Sequence, residues 1–327
     1  MNAAQVTHAK RGFAAVSIVM SCVVGLVAAA SGSAAAAPSG WRYTLVAFSN
    51  TSERDMDVYE SGDGAAFQLI QPSAYRPPSG LVRDPSIFRN SDGLYYITYT
   101  TGTGASIGFA RSSDRVNWTP MGNYPVPFCC ALLPGTGDGT GSASPPGSSG
   151  SAGSADGPSL SPFTTKAWAP EWFVDGNRVH VILSMSTGGG FVPYVMTALD
   201  PSLRSWSLPV PIAGLGADHI DTTVVKVGST YHAFTKNETT KVVEHAVASS
   251  VSGPYAFVPP GDWGAFREGP AVVELPNGAW RIYLDAYTEG RYLYSDSTDG
   301  LRTWSPVREM PELSGKARHF GVMREAV

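Results

Sequence analysis

Phe109-Ala110-Arg111-Ser112-Ser113-Asp114, leading to Trp118, is one copy of a weak repeat: an apolar strand end, a polar turn and an aromatic. Val58-Tyr59-Glu60-Ser61-Gly62-Asp63 leads in the same way to Phe67, and Thr197-Ala198-Leu199-Asp200 to Trp206. Ala246-Val247-Ala248-Ser249-Ser250 leads to Tyr255, and Leu293-Tyr294-Ser295-Asp296 to Trp304. The aromatics are 51, 88, 49 and 49 residues apart. The long interval holds Cys129 to Thr165, 37 residues rich in Gly, Ser, Pro and Ala; set aside, it leaves an interval of 51. Such a composition buries too little surface to offset its ordering entropy, so the segment reads as an insert of disordered type.

Hairpins precede the aromatics, each with its own turn signal. Ile87-Phe88 and Leu94 to Thr100 flank Asp92-Gly93; Trp172 to Val174 and Val179 to Leu183 flank Asp175-Gly176-Asn177. Val224 to Val227 and Tyr231 to Phe234 flank Gly228-Ser229; Ala271 to Leu275 and Trp280 to Leu284 flank Asn277-Gly278. A hairpin, a third strand and an aromatic-bearing fourth make one propeller blade. The fifth unit is split: Tyr43 to Phe48, Asp57 to Glu60 and Phe67 to Ile70 supply three strands, and Gly321 to Met323 supplies the missing first one. The expected fold is therefore all-β, a five-bladed β-propeller closed by N- and C-terminal strands, which removes the exposed edges of an open array. A sandwich would show no 50-residue period, and a parallel β-helix would need much shorter rungs.

Composition agrees. Of 327 residues, 36 are Gly and 25 Pro, and charged residues are 15% against an ordinary quarter or so. This excludes a coiled coil and a helix bundle, and three Cys exclude a disulfide-stapled miniprotein. Lys10-Arg11, an apolar run from Gly12 to Ala30 and small residues from Ser31 to Ala37 have the order of a secretory signal, with a cut after Ala36. The expected organisation is a signal peptide over 1–36 and one catalytic propeller over 37–327, secreted and monomeric. The net charge of −4 becomes more negative when the two basic residues leave, so neither nucleic acid nor an anionic membrane is an expected partner. Cys129 and Cys130 are adjacent and read as unspecialised loop thiols or one vicinal disulfide.

In a propeller the residues that begin each innermost strand meet at one end of the axis. Here these are Asp84 in Arg83-Asp84-Pro85-Ser86-Ile87, Glu171 in Trp168-Ala169-Pro170-Glu171 and Asp221 in His219-Ile220-Asp221-Thr222-Thr223. Glu268 in Glu268-Gly269-Pro270 and His319 in Arg318-His319-Phe320-Gly321 complete the set. The spacing predicts one ionisable residue per blade at a common rim. Clustered carboxylates repel, so that some keep a proton while others stay ionised, as acid–base chemistry requires. No zinc spacing, phosphate loop or nucleophile elbow competes with this reading.

These five motifs, in this order and spacing, resemble glycoside hydrolase family 43 over nearly the whole mature chain. The resemblance implies an inverting glycosidase acting on α-L-arabinofuranosides, β-xylosides, arabinan or galactan. It implies Asp84 as general base, Glu268 as general acid, and Asp221 as the carboxylate that orients the acid and holds its proton on through neutral pH. Thr222 follows Asp221 where the family more often has Pro, and Phe320 separates His319 from Gly321. The expected activity is release of terminal α-L-arabinofuranose from plant cell-wall polysaccharide. The alternatives are a β-xylosidase or exo-galactanase on the same scaffold, or a non-catalytic carbohydrate-binding propeller. Trp168 is either a packing aromatic or a platform for a sugar face, and Glu171 a structural acceptor or a sugar-hydroxyl ligand. His319 inherits a place at the axial cavity, beside which related enzymes sometimes hold calcium; no cofactor is required and no metal ligand is assigned. His219 reads as a structural histidine, and Tyr287, Trp263 and Phe266 are further candidates for the pocket wall. The 129–165 insert reads as a passive excursion from the active-site face rather than a lid.

Overall fold

A computed structural model describes residues 40–127 and 164–327. The expected signal segment, Cys129, Cys130 and the insert up to residue 163 lie outside the described residues. Among the described residues there is no helix, and twenty strands form five four-stranded antiparallel sheets.

The chain opens with β1 (Trp41–Ser49), β2 (Ser52–Ser61) and β3 (Gln68–Tyr75). Blade II is β4 (Arg83–Arg89), β5 (Tyr95–Thr100), β6 (Ser106–Ser112) and β7 (Trp118–Pro125). Blade III is β8 (Lys166–Asp175), β9 (Arg178–Ser186), β10 (Val192–Thr197) and β11 (Val210–Pro211). Blade IV is β12 (His219–Val227), β13 (Thr230–Asn237), β14 (Val243–Ala248) and β15 (Ala256–Val258). Blade V is β16 (Glu268–Glu274), β17 (Trp280–Ala286), β18 (Arg291–Ser297) and β19 (Arg308–Glu309). Last comes β20 (Arg318–Ala326), which pairs antiparallel with β1 from Trp41↔Ala326 to Phe48↔Arg318 and completes blade I in the order β20-β1-β2-β3. The innermost strands touch in the ring β20, β4, β8, β12, β16 and back to β20. The five-bladed closure expected from the repeat is the closure found.

Twist separates neighbouring blades, so each junction must be filled by bulky apolar side chains. Five buried clusters do this, one per junction. The repeat aromatics belong to them: each packs into the cluster shared with the preceding blade. Trp206 of blade III stacks on Phe109 of blade II at 5.4 Å and lies 5.9 Å from Trp172. Trp304 of blade V meets Trp263 and Phe234 edge-on at 5.3 and 5.7 Å. Phe67 packs on Tyr283 and Phe320 across the closing junction. The polar turn of the repeat is a side-chain cap: Ser61 and Ser112 donate to Asp63 and Asp114, which accept the following backbone N–H groups. In the last blade this cap is Ser297 with Asp299, two and three residues beyond Ser295 and Asp296 of the sequence repeat.

One core feature makes stability pH-dependent. In blade IV the His232 and His245 rings stack 5.2 Å apart with Nδ1 and Nε2 2.9 Å from one another, and His245 lies against Phe234 at 4.4 Å. Burial pushes both imidazoles down, and His232 helps hold His245 at about 3. The unfolded chain takes up these protons below about pH 6.5 while the fold does not. Stability is therefore complete above that pH and falls as pH drops from about 6.5 toward 3. Denaturant midpoints measured from about pH 7 down to about pH 5 should decline, and His245→Phe should flatten the decline; an equal slope in the variant would refute this origin.

Candidate active site

Every innermost strand carries the same irregularity near its start. The pairing skips between Arg83 and Ser86, Trp168 and Glu171, Ile220 and Thr223, and Glu268 and Ala271. The same skip falls between Arg318 and Gly321 opposite Phe48 and Val46. Each is a β-bulge, two residues facing one, which re-aims the side chain at its first position. That position has a left-handed backbone in all five blades: Asp84 at φ 48°, Ala169 at 47°, Asp221 at 56°, Gly269 at 54° and His319 at 20°. Glycine alone takes this conformation freely, and other residues held there store about 1–3 kcal/mol each. Proline follows at 85, 170 and 270, where the bulge spares it the ladder hydrogen bond it cannot make.

The equivalent residues are thus Asp84, Ala169, Asp221, Gly269 and His319. This corrects the expected register: Glu268 lies one residue before the bulge and Glu171 two residues after its first position. Periodicity along the chain could not resolve a shift of one or two residues. The consequence is spatial. His319 occupies the centre, with Nδ1 3.4 Å from Asp84 Oδ1 and 3.6 Å from Asp221 Oδ2. A Cβ on Gly269 would lie 2.6 Å from His319 Cγ, so glycine there makes room for the ring. Glu268 occupies the neighbouring position, shared in register by Arg83, Trp168, Ile220 and Arg318.

The residue paired with that position on the second strand of each blade supports the next blade. Thr100 Oγ1 donates to Asp84 Oδ2 at 2.8 Å and accepts the Ala169 N–H at 2.8 Å. Ser184 Oγ accepts the Asp221 N–H at 3.2 Å. Lys236 Nζ donates to Glu268 Oε2 at 2.9 Å. Asp285 accepts the His319 N–H at 3.2 Å and Arg318 Nε at 2.6 Å. Phe48 underlies the Arg83 guanidinium at 5.3 Å. No motif singled out Thr100, Ser184, Lys236 or Asp285, because the strand starts they support lie in the next blade; only their constant place in the hairpins could have pointed to them.

The charges follow from these contacts. Burial pushes Asp221 up to about 6; His319 opposes this, while Glu268 and Asp84 add to it. Burial would raise Glu268 too, but Lys236, His319 and Arg318 outweigh it and hold the carboxyl below its ordinary range. Arg318 reaches its other oxygen at 2.6 Å. Lys236, His319 and Arg318 thus favour the ionised form of Glu268, opposite in sign to the effect expected of Asp221. Burial would lower His319, yet Asp221, Asp84, Glu268 and Glu171 raise it. Glu171 is pushed up to about 7 by burial, against a Ser86 hydrogen bond and His319, and it lines an axial cavity of about 290 Å³ with Thr223, Val224, Lys226, Val272 and Val322.

Around this centre Trp168 packs against Phe191 at 5.2 Å beneath the Lys166 ammonium, and Phe266, 48% exposed, meets Tyr287 edge-on at 6.3 Å. Trp263 is core, not pocket wall. His219 is structural: its nitrogens contact the Ala217 carbonyl and Glu244, and its ring stacks on Phe257. Among the described residues no group of three or more His, Cys, Asp or Glu side chains is disposed to hold a metal ion.

The fold recurs in solved glycoside hydrolases. An endo-1,4-beta-xylanase from Bacteroides thetaiotaomicron VPI-5482 aligns with a TM-score of 0.58 at 12% identity, over 84% of this chain and 92% of that one. A thermostable family-43 glycoside hydrolase aligns at 0.56 and 13% identity, over 82% and 92% of the two chains. An exo-beta-1,3-galactanase from Phanerochaete chrysosporium aligns at 0.57 and 13% identity, over 81% and 64%. No protein-family model matches the sequence, and no curated protein matches it. At these identities the likeness is one of fold.

Proposed function

We propose that this chain is an inverting glycoside hydrolase that releases terminal sugars, α-L-arabinofuranose foremost, from plant cell-wall polysaccharide. One observation carries the reading: Asp84, Asp221 and Glu268, from three blades, converge on the His319 imidazole. Two of them, Asp84 and Asp221, occupy left-handed bulge positions, and bulges re-aim side chains next to active sites.

In this mechanism Asp84, held by Thr100, takes a proton from water as that water attacks the anomeric carbon. Glu268 delivers a proton to the departing glycosidic oxygen. Inversion needs room for the water between base and acid, about 6.5–9.5 Å between their carboxyl groups. Glu268 adds to the burial that pushes Asp221 up to about 6, and interacting carboxylates give up their protons in shared steps. His319, drawn toward the charged form, balances the negative charge that remains. The Trp168–Phe191 face offers an apolar surface to a sugar ring.

Chromogenic arabinofuranoside, xyloside and galactoside substrates, with proton NMR of the first anomer released, test this directly. Turnover of the arabinofuranoside with the β-anomer appearing first is expected. Faster xyloside or galactoside turnover would move the substrate to the alternative sugars, and release of the same anomer as the substrate, α first from the α-arabinofuranoside, would overturn the assignment of base and acid.

A further inference from the structure

We propose that Lys236 is a positioning residue for the acid: its ammonium clamps Glu268 Oε2 and confines proton donation to acidic pH. The inference deepens the glycosidase reading and rests on it for the role of Glu268, but the clamp itself stands on geometry. Lys236 is 5% exposed, an uncommon setting for a lysine. Its Nζ lies 2.9 Å from Glu268 Oε2, 2.7 Å from Glu238 Oε1 and 4.6 Å from the centre of the Tyr287 ring. It occupies, in blade IV, the support position that Thr100, Ser184, Asp285 and Phe48 fill in the others. In three of those blades the support residue fixes the next bulge through a backbone N–H. Blade IV has an ammonium there instead, aimed at the side chain of the acid, while the Gly269 N–H goes to Asp221 Oδ2 at 3.1 Å.

A purely structural need does not explain this choice. Removing an ammonium from water is unfavourable, and buried ion pairs are often no more stabilising than apolar side chains of similar size. Arg318 already anchors the other oxygen of Glu268 and is itself fixed by Asp285 and by Asn50 Oδ1 at 2.6 Å. Lys236 therefore brings a second positive charge to a carboxylate that Arg318 already helps to hold in place. The groups facing Glu268 are Asp221 from β12, Lys236 from β13, Asp285 opposite it on β17, Tyr292 from β18, and Arg318 with His319 from β20. Of these, Asp285 is spent on Arg318, so Lys236 is the cation whose removal leaves Glu268 beside Asp221 with one positive contact fewer.

The sign is fixed. A general acid works only while protonated, and a neighbouring cation favours the carboxylate. The alkaline limb of kcat/KM in the wild-type enzyme should follow loss of the Glu268 proton, which the neighbouring cations draw below the ordinary carboxylate range. In Lys236→Met and Lys236→Gln that limb should move up by about 1–3 pH units, the effect of removing an opposite charge at this range; Lys236→Arg, which keeps the charge, should return it to near the wild-type position. A structural role alone would lower kcat and leave the limb where it was, which would overturn the proposal. Carboxyl-13C NMR of glutamate-labelled protein, with Glu268 assigned from Glu268→Gln, reads the same titration without turnover. A higher Glu268 midpoint in Lys236→Met, with no glycosidase activity in the wild-type protein, would uphold the clamp and refute the enzymatic reading; an unmoved midpoint refutes the clamp whatever the activity.

Discussion

Asp84→Asn should lower kcat on an activated-leaving-group arabinofuranoside by about 10³-fold, within the ~10²–10⁴-fold range of a general base, while the melting temperature hardly changes. The substitution is nearly isosteric. Asparagine accepts the same hydrogen bond from Thr100 Oγ1 that Asp84 Oδ2 accepts at 2.8 Å, and it tolerates the left-handed backbone at φ 48° better than most residues. What it lacks is the negative charge facing His319 Nδ1 at 3.4 Å and the ability to take a proton from water. Kinetics and a thermal melt on the same preparation separate chemistry from folding. Wild-type turnover by a correctly folded Asp84→Asn would remove Asp84 from the mechanism.

Gly321→Ala should destabilise the propeller by about 3 kcal/mol, the upper end of ordinary overpacking, and lower the melting temperature by roughly 5–10 °C. A Cβ at position 321 would lie 2.5 Å from Ser86 Cα, 2.6 Å from the Pro85 carbonyl oxygen and 3.0 Å from the Ile87 nitrogen. All three are backbone atoms, so no side-chain rotamer can relieve the contact. The strain falls between β20 and β4, where the closing blade meets blade II, and next to the bulge that aims Asp84. Activity should therefore fall together with stability. Gly189→Ala is the control, because nothing lies within 4 Å of its added Cβ. An unchanged melt in Gly321→Ala would mean that the inner strands are not packed backbone to backbone at this junction.

Gly321 also shows where sequence reading stops. Phe320 looked like an interruption of a His-Gly pair. In the structure Phe320 is the second residue of the bulge, stacked on Tyr292 at 4.3 Å in the closing core, and Gly321 resumes the pairing opposite Val46. The motif is continuous in space once the bulge is counted. Glu171 and Glu268 tell the same story from the other side. Their spacing matched the period, yet they flank the bulge instead of occupying it, because a two-for-one pairing shifts the register without altering the length of the repeat. Lys236 and Asp285 lie in no motif, and only their constant place in the second strands marks them.

Blade number, hairpins, the split first blade and the family of motifs at the strand starts were legible in the sequence because they depend on local rules. Side chains alternate with period two, Gly, Asn and Asp mark turns, and an aromatic must fill each blade junction. The charge on Glu268 was decided by tertiary structure alone. A carboxyl responds to whatever cations lie within a few ångströms, and Lys236 and Arg318 come from strands that are 32 and 50 residues away along the chain. Only closure of the ring brings them to it.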